Sequence, residues 1–254
     1  MLPKIDVYSI MRNEIKILPY FLRHYESFAE RIFVWEDQSD DGTREMLSVH
    51  PKVTILDPGY HGADDKYYVE RLWPQYKTIS RGRADWVMCV DADEFVYHPN
   101  LVNFLVECEK KDFKRIRCEG YIMCHPTFPT TEGQIYDEVK YGWRDNSSNK
   151  TVVFMSDVHM SFTPGRHQCV HNTIHPTRKF IGIKLLHFRC LGTDFMRDRN
   201  KRNCVSMGIP YDEERRFWLP KGVGPEGQKP RARERGNIYK WFDRNVDYAE
   251  RVVE

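Results

Sequence analysis

The chain reads as an α/β protein built on a mostly parallel central sheet, and three features of its sequence lead there. From Lys4 to Val90, strand-like apolar runs alternate with stretches of helical period, the pattern of βαβ units with right-handed crossovers. The run Trp86-Val87-Met88-Cys89-Val90 is continuously apolar, which suits an inner strand covered on both faces. It then stops abruptly at Asp91, Asp93 and Glu94. Ionised carboxylates are too costly to bury unpaired, so they should emerge at the C-terminal edge of the strand, where open α/β sheets bind ligands.

Taken in order, Lys4 to Ile10 alternates as a strand and is followed by the polar break Met11-Arg12-Asn13-Glu14. Ile15, Leu18, Leu22, Tyr25 and Phe28 recur at helical spacing, with Pro19 tolerated near the helix start. Arg31 to Trp35 is a second strand, and the loop from Glu36 to Thr43 offers several N-caps for a helix from Arg44 to Val49. Lys52 to Leu56 is a third strand, Lys66 to Ser80 a helix, and the Asp85 strand follows. Beyond Asp93 the rhythm changes. Leu101 to Lys110 is helical, Phe113 to Met123 a strand, and Ile135 to Trp143 and Lys150 to Met155 are β-like. Ile181 to Arg189 is another strand and Asp194 to Ser206 a helix. Residues 220–236 have the Pro/Gly/charge composition of a linker, and Ile238 to Val253 is an amphipathic helix, docked or opening a further domain. The expected organisation is thus a domain over 1–219, a linker-like segment and a C-terminal helix over 237–254.

Apolar residues make up 41% and charged residues 30%, as in ordinary globular proteins. With 39 basic and 37 acidic residues the formal charge is only +2, which argues against nucleic acid as a general partner. No run approaches the ~18 apolar residues of a membrane span, and Met1-Leu2-Pro3-Lys4 opens straight into a strand rather than a signal peptide. The seven cysteines form no Cys-x-x-Cys pair, which argues against zinc; a cytoplasmic, reducing location is the default.

Several residues carry chemistry. Asp91 and Asp93 can present oxygens to one hard divalent cation that also holds a substrate diphosphate; alternatively they form an acidic loop favouring the N-terminus of the next helix. Asp37, ending the second strand, can accept a hydrogen bond from the ring imide N–H of a pyrimidine, or can serve as a cap. Lys77, Arg81 and Arg83 can reach a diphosphate or form a solvated basic face. Among ten histidines, His98, His125, His159, His167, His171 and His175 sit near turns or strand ends and read as surface or hydrogen-bonded groups, whereas His187 ends an apolar strand.

Three separated pieces together resemble family 2-like glycosyltransferases of the GT-A fold: strand 1 with Asn13-Glu14, the loop Glu36-Asp-Gln-Ser-Asp-Asp-Gly-Thr43, and the stretch Trp86 to Phe95. The branch resembled is the one with Asp-Ala-Asp-Glu-Phe and a later Leu-His-aromatic-Arg, here Leu186-His187-Phe188-Arg189. The resemblance covers residues 4–205. It implies a nucleotide-binding βαβ half and an acceptor-side half with antiparallel strands. It also implies a nucleotide site of Ile10, Arg12, Asn13, Asp37, Arg81, Asp91, Ala92 and Asp93, with Asp93 binding the cation directly. The metal, Mn(II) or Mg(II), would be held by Asp91, Asp93 and His187. The donor would be a nucleoside diphosphate sugar, with UDP- or dTDP-sugars favoured. Its sugar would pass, with inversion, to a hydroxyl of a glycan or other acceptor. One departure stands out: the second motif usually opens with two aspartates and a glycine, where this chain has Glu36-Asp37-Gln38. An inverting transfer needs a general base between Asp93 and the late histidine. Asp157, just after the apolar run Thr151 to Ser156, is the first candidate, with Glu119 as the alternative and His167 a third. Two other classes compete: a non-catalytic nucleotide-sugar or glycan-binding module, and a haloacid dehalogenase-like phosphatase. Phe95 and the late position of the Asp-x-Asp argue against the phosphatase.

Overall fold

The structure, a computed structural model, describes residues 2–166, 169–170, 177–206, 208, 210–211, 242 and 246–254, with side chains left out from 167 to 181 and at Tyr248. The strands that position the site are β1 (Ile5–Met11), β2 (Arg31–Glu36), β3 (Val53–Leu56), β4 (Trp86–Cys89), β5 (Glu94–Tyr97), β6 (Arg115–His125), β7 (Tyr141–Arg144) and β8 (Lys150–Met155). Two compact units divide the chain: 1–119 with 149–185, and 120–148 with 186–254.

In the first unit β1 to β4 are parallel, as the alternating apolar runs predict, and they lie in the order β3-β2-β1-β4. β8 lies antiparallel against β4, and the first half of β6 antiparallel against β8. The α/β class is therefore the expected one, with a parallel βαβ half and an antiparallel half. Because β1 has β2 on one side and β4 on the other, the chain order reverses at β1, and the crevice at such a switch point is where ligands bind. The registers Met11↔Glu36 and Tyr8↔Cys89 place the C-terminal ends of β2, β1 and β4 side by side.

One core of this unit joins Tyr8, Phe33, Trp35, Val87 and Cys89 to Leu72, Trp73, Tyr76, Phe154 and Met160. The segment supplying Leu72, Trp73 and Tyr76, expected as one helix over Lys66 to Ser80, changes pitch on its way. It is α-helical over Asp65–Tyr67, π over Tyr68–Leu72, 3₁₀ over Trp73–Gln75 and α-helical again over Tyr76–Ile79. Pro74 has no N–H to give to a preceding carbonyl, so regular α-helical bonding is interrupted there.

The helix Leu18–Glu26, with Pro19 in its first turn, packs Phe21, His24 and Tyr25 against Phe95. The Tyr25 hydroxyl donates to Glu94 O at 2.7 Å and accepts from Val96 N at 3.2 Å, while His24 Nε2 donates to Val96 O at 3.0 Å. This helix therefore pins β5, a strand absent from the sequence reading because Glu94 looks like a loop residue.

Loss of hydration pushes the buried His24 imidazole down to about 4, against the backbone bond to Val96 that pulls it up. The unfolded chain takes its proton near 6.5 and the native state only near 4. Stability present above pH 6.5 is thus lost as pH falls through this window, by on the order of 3 kcal/mol in all. Urea midpoints measured between pH 7 and pH 4 should fall accordingly, and His24→Gln should flatten that part of the profile.

In the second unit the later half of β6 pairs with β7 (Ile122↔Trp143), and β7 with the short strand Glu250–Arg251. Its core holds Ile122, Cys124, Trp143, Cys190, Met196 and Phe242. Gly142 allows the close strand approach, since a Cβ there would lie 2.4 Å from Ile122 O. The β-like stretch expected from Ile135 divides into a helical turn, Ile135–Glu138, capped by Gln134 and Asp137, and β7. The expected C-terminal helix is corrected where it is described. Val246–Tyr248 is a 3₁₀ turn and Glu250–Arg251 a strand, because the open edge of β7 offers backbone partners that a lone helix end lacks. Residues 220–236 and most of 237–245 lie outside the described residues.

Candidate active site

Two loops form the edge at the ends of β1 and β2. Asn13, at φ +55°, donates from Nδ2 to Asp40 Oδ1 at 2.8 Å and accepts from Asp40 N at 2.9 Å. Further along, Asn13 N donates to Ser39 Oγ, Glu14 N to Thr43 Oγ1 and Ile15 N to Asp41 Oδ2. The Ser/Asp/Thr content that reads as helix caps therefore serves to lace one loop to the other. Ile10 is half-buried on β1, opposite Trp35. Arg12 reaches Asp37 from the same loop.

Asp37 is enclosed. Its Oδ1 accepts from His61 Nδ1 at 2.8 Å, and its Oδ2 from Gly62 N at 3.0 Å and Arg12 Nη1 at 3.4 Å. The accessible group at this corner is His61, whose side chain is 45% exposed.

At the end of β4 the carboxylates separate by environment. Asp93 is 1% exposed and Ala92 is buried, whereas the Asp91 side chain is 41% exposed. Of the two aspartates expected to meet a cation, Asp91 is the one that reaches solvent. Glu94 is fully enclosed and faces two cations, with Lys150 Nζ at 2.6 Å from Oε1 and Arg166 Nη2 at 2.9 Å from Oε2. The same Arg166 nitrogen lies 2.7 Å from Asp91 Oδ2, with Lys150 3.7 Å away. Burial pushes the Asp91 carboxyl up, but the charges of Arg166 and Lys150 pull it further down, so it lies below the usual carboxylate range. The Arg166 guanidinium lies over Trp73, 4.4 Å from its centroid, and its backbone is left-handed at φ +57°. Such a conformation costs a side-chain-bearing residue on the order of 1 kcal/mol. Lys150, Arg166 and His61 escape the sequence reading. Lys150 and Arg166 stand 56 and 72 positions from Glu94, and no local pattern marks them.

Two expected site residues sit elsewhere. β8 runs antiparallel to β4, with Trp86↔Met155, so its end lies at the start of β4. Asp157 therefore occupies the edge opposite to Asp91, 51% exposed and paired with Lys114 at 2.8 Å. Arg81 falls in the turn that leads into the start of β4, at that same far edge. Both charges are felt by the Tyr76 hydroxyl, which donates to Val158 O. Glu119 fares differently. Cys118 pairs with Lys150, whose ammonium reaches Asp91, so Glu119 follows at the Asp91 edge, half-buried. His187 lies half-buried on the strand Thr177–Leu191, in the second unit, and His167 falls outside the described residues.

Among the described residues no group of three His, Cys, Asp or Glu side chains could hold a metal by itself, and the described cysteines are buried free thiols. A cation that takes most of its ligands from phosphates and water needs only one or two carboxylates, and the exposed, ionised Asp91 fits that demand. No described helix is long and apolar enough to cross a membrane.

No family model matches the chain. A curated relative, a glycosyltransferase 25 family member from Aedes aegypti, is 30% identical over 130 residues, or 41% of this chain. The match spans about a fifth of that relative's length (21%). Among solved structures, mannosyl-3-phosphoglycerate synthase from Rubrobacter xylanophilus aligns at TM-score 0.34 and 16% identity, over 46% of this chain and 40% of that one. S. aureus TarS 1-349 in complex with UDP aligns at TM-score 0.37 and 12% identity, over 70% of this chain and 60% of that one.

Proposed function

We propose that the chain is a glycosyltransferase domain that binds a nucleoside diphosphate sugar at the joined ends of β1, β2 and β4 and passes the sugar to a hydroxyl of a glycan or other acceptor. The observation that carries this reading is the Asp91 carboxylate. It is the exposed end of an otherwise buried charge cluster, held ionised at the switch point of the sheet. The relative from Aedes aegypti, itself a glycosyltransferase 25 family member, supports the reaction class.

The chain's own residues divide the work. β2 and β4 flank β1, so the Asp37 and Asp91 corners are about 10 Å apart at the usual strand spacing. That span suits a base at one corner and a diphosphate at the other. Asp37, through His61 and the backbone at Gly62, shapes the corner that selects a uracil- or thymine-like edge. Asp91 would hold a magnesium or manganese ion together with the donor phosphates. When bound, such an ion neutralises the charge that develops on the departing nucleotide. For the transfer itself we favour Glu119 as the general base, on β6 one residue after Cys118, the register partner of Lys150, with direct attack and inversion.

Calorimetry is the direct test. UDP or dTDP should bind the purified chain in Mn(II), and EDTA or Asp91→Asn should weaken that binding by on the order of 10–100-fold. A purine diphosphate ranked first, or affinity indifferent to EDTA, would count against the base choice or the cation respectively.

A further inference from the structure

Arg166 has no part in the account above beyond its charge, yet its surroundings are built with care for direction. One nitrogen, Nη2, spans Asp91 Oδ2 at 2.7 Å and Glu94 Oε2 at 2.9 Å. Glu94 Oε2 also accepts from the backbone N–H of Asp91 at 3.2 Å, and its other oxygen is held by Lys150 at 2.6 Å. Asp91 is thereby tied twice to one rigid body, through its main chain to Glu94 and through its carboxylate to Arg166. Arg166, Lys150, Glu94 and Trp73 are all buried; Asp91 alone in this group opens to solvent. The guanidinium is buried with its face on Trp73, and its backbone follows Gly165 in a left-handed turn.

An enclosed ion cluster is a poor way to stabilise a core, since apolar side chains of like volume commonly do as well or better. What this cluster provides is a fixed aim for the one carboxylate that leaves it. We propose that Arg166 is a positioning residue for the donor site, acting through Asp91: it holds the exposed carboxylate in the one orientation that meets the cation and phosphates of a nucleoside diphosphate. The proposal rests on the donor-site reading above. Arginine suits the role because one of its nitrogens bridges two carboxylates while its planar face stacks on an indole, a combination a lysine ammonium does not offer.

The test is a double-mutant cycle on the full chain, using UDP with Mn(II) as the probe. Wild type, Arg166→Gln, Asp91→Asn and the double variant are compared for UDP affinity by calorimetry and, with a donor sugar, for kcat and KM. Folding is checked by near-UV circular dichroism. Arg166→Gln should weaken UDP binding by about tenfold or more, and the double variant should bind no worse than Asp91→Asn, because residues acting through one another are not additive. Arg166→Lys should recover part of the loss; it also carries the test by itself should Arg166→Gln fail to fold. A folded Arg166 variant with wild-type affinity and kinetics, or losses that multiply with that of Asp91→Asn, would overturn the proposal. Wild-type binding that depends on Asp91 but not on Arg166 removes the positioning role alone. A wild type that binds no nucleoside diphosphate removes the donor-site reading, and the proposal with it.

Discussion

Glu94→Ala is expected to destabilise the chain by about 3–5 kcal/mol, the usual consequence of removing one partner from a buried ion cluster. Glu94 is wholly enclosed, and its loss leaves Lys150 with only the more distant Asp91 carboxylate at 3.7 Å and deprives Arg166 of one of its two carboxylates. Neither cation can turn to water. Lys150 and Arg166 are both nearly inaccessible, so each keeps its desolvation cost while losing its closest compensation or half of it. Urea denaturation followed by tryptophan fluorescence should show the shift as a lower midpoint at nearly constant slope. The Lys114–Asp157 pair supplies the contrast. It has a similar separation, but Asp157 is half exposed, so Asp157→Asn should change stability by less than about 1 kcal/mol. Equal losses from the two replacements would contradict the view that burial gives the Glu94 cluster its weight.

Glu119→Gln is expected to cut transfer by about 10²–10⁴-fold while leaving nucleotide binding in place, as loss of a general base does. Asp157→Asn should leave transfer near wild type. The two differ in where strand direction puts them. β6 runs antiparallel to β8 and so in the same direction as β4, which carries Glu119 to the Asp91 edge. β8 runs against β4, which carries Asp157 away from it. Steady-state rates at saturating donor decide the matter. A Glu119→Gln variant with wild-type kcat would exclude Glu119, and a crippled Asp157→Asn would contradict the placement of the two sheet edges.

Much of this was legible from local pattern. The apolar run Trp86 to Val90 suits an inner strand, and β4 is buried along its whole length. The expectation that the charges after it emerge from the core holds for Asp91 alone, since Asp93 and Glu94 stay buried. Periodicity likewise marks β1, β2, β3 and the helix Leu18–Glu26, because each must turn an apolar face inward whatever it packs against. The same local reading failed where a residue's meaning depends on a distant one. Glu94 looked like part of an acidic loop, yet it begins β5 because Lys150 and Arg166 balance its charge inside the fold. The segment from Ile135 looked β-like throughout, but Gln134 and Asp137 cap a helical turn before β7 begins.

The sequence by itself determined the α/β class, the parallel βαβ character of the first strands and the place of the carboxylates directly after β4, all consequences of hydrophobic period and of residue order. Only the tertiary structure decided which of those carboxylates meets solvent, which cations hold it, and which of Asp157 and Glu119 shares its side of the sheet. Those outcomes depend on strand direction and on ion pairs between residues far apart in the chain, and a linear pattern carries no record of either.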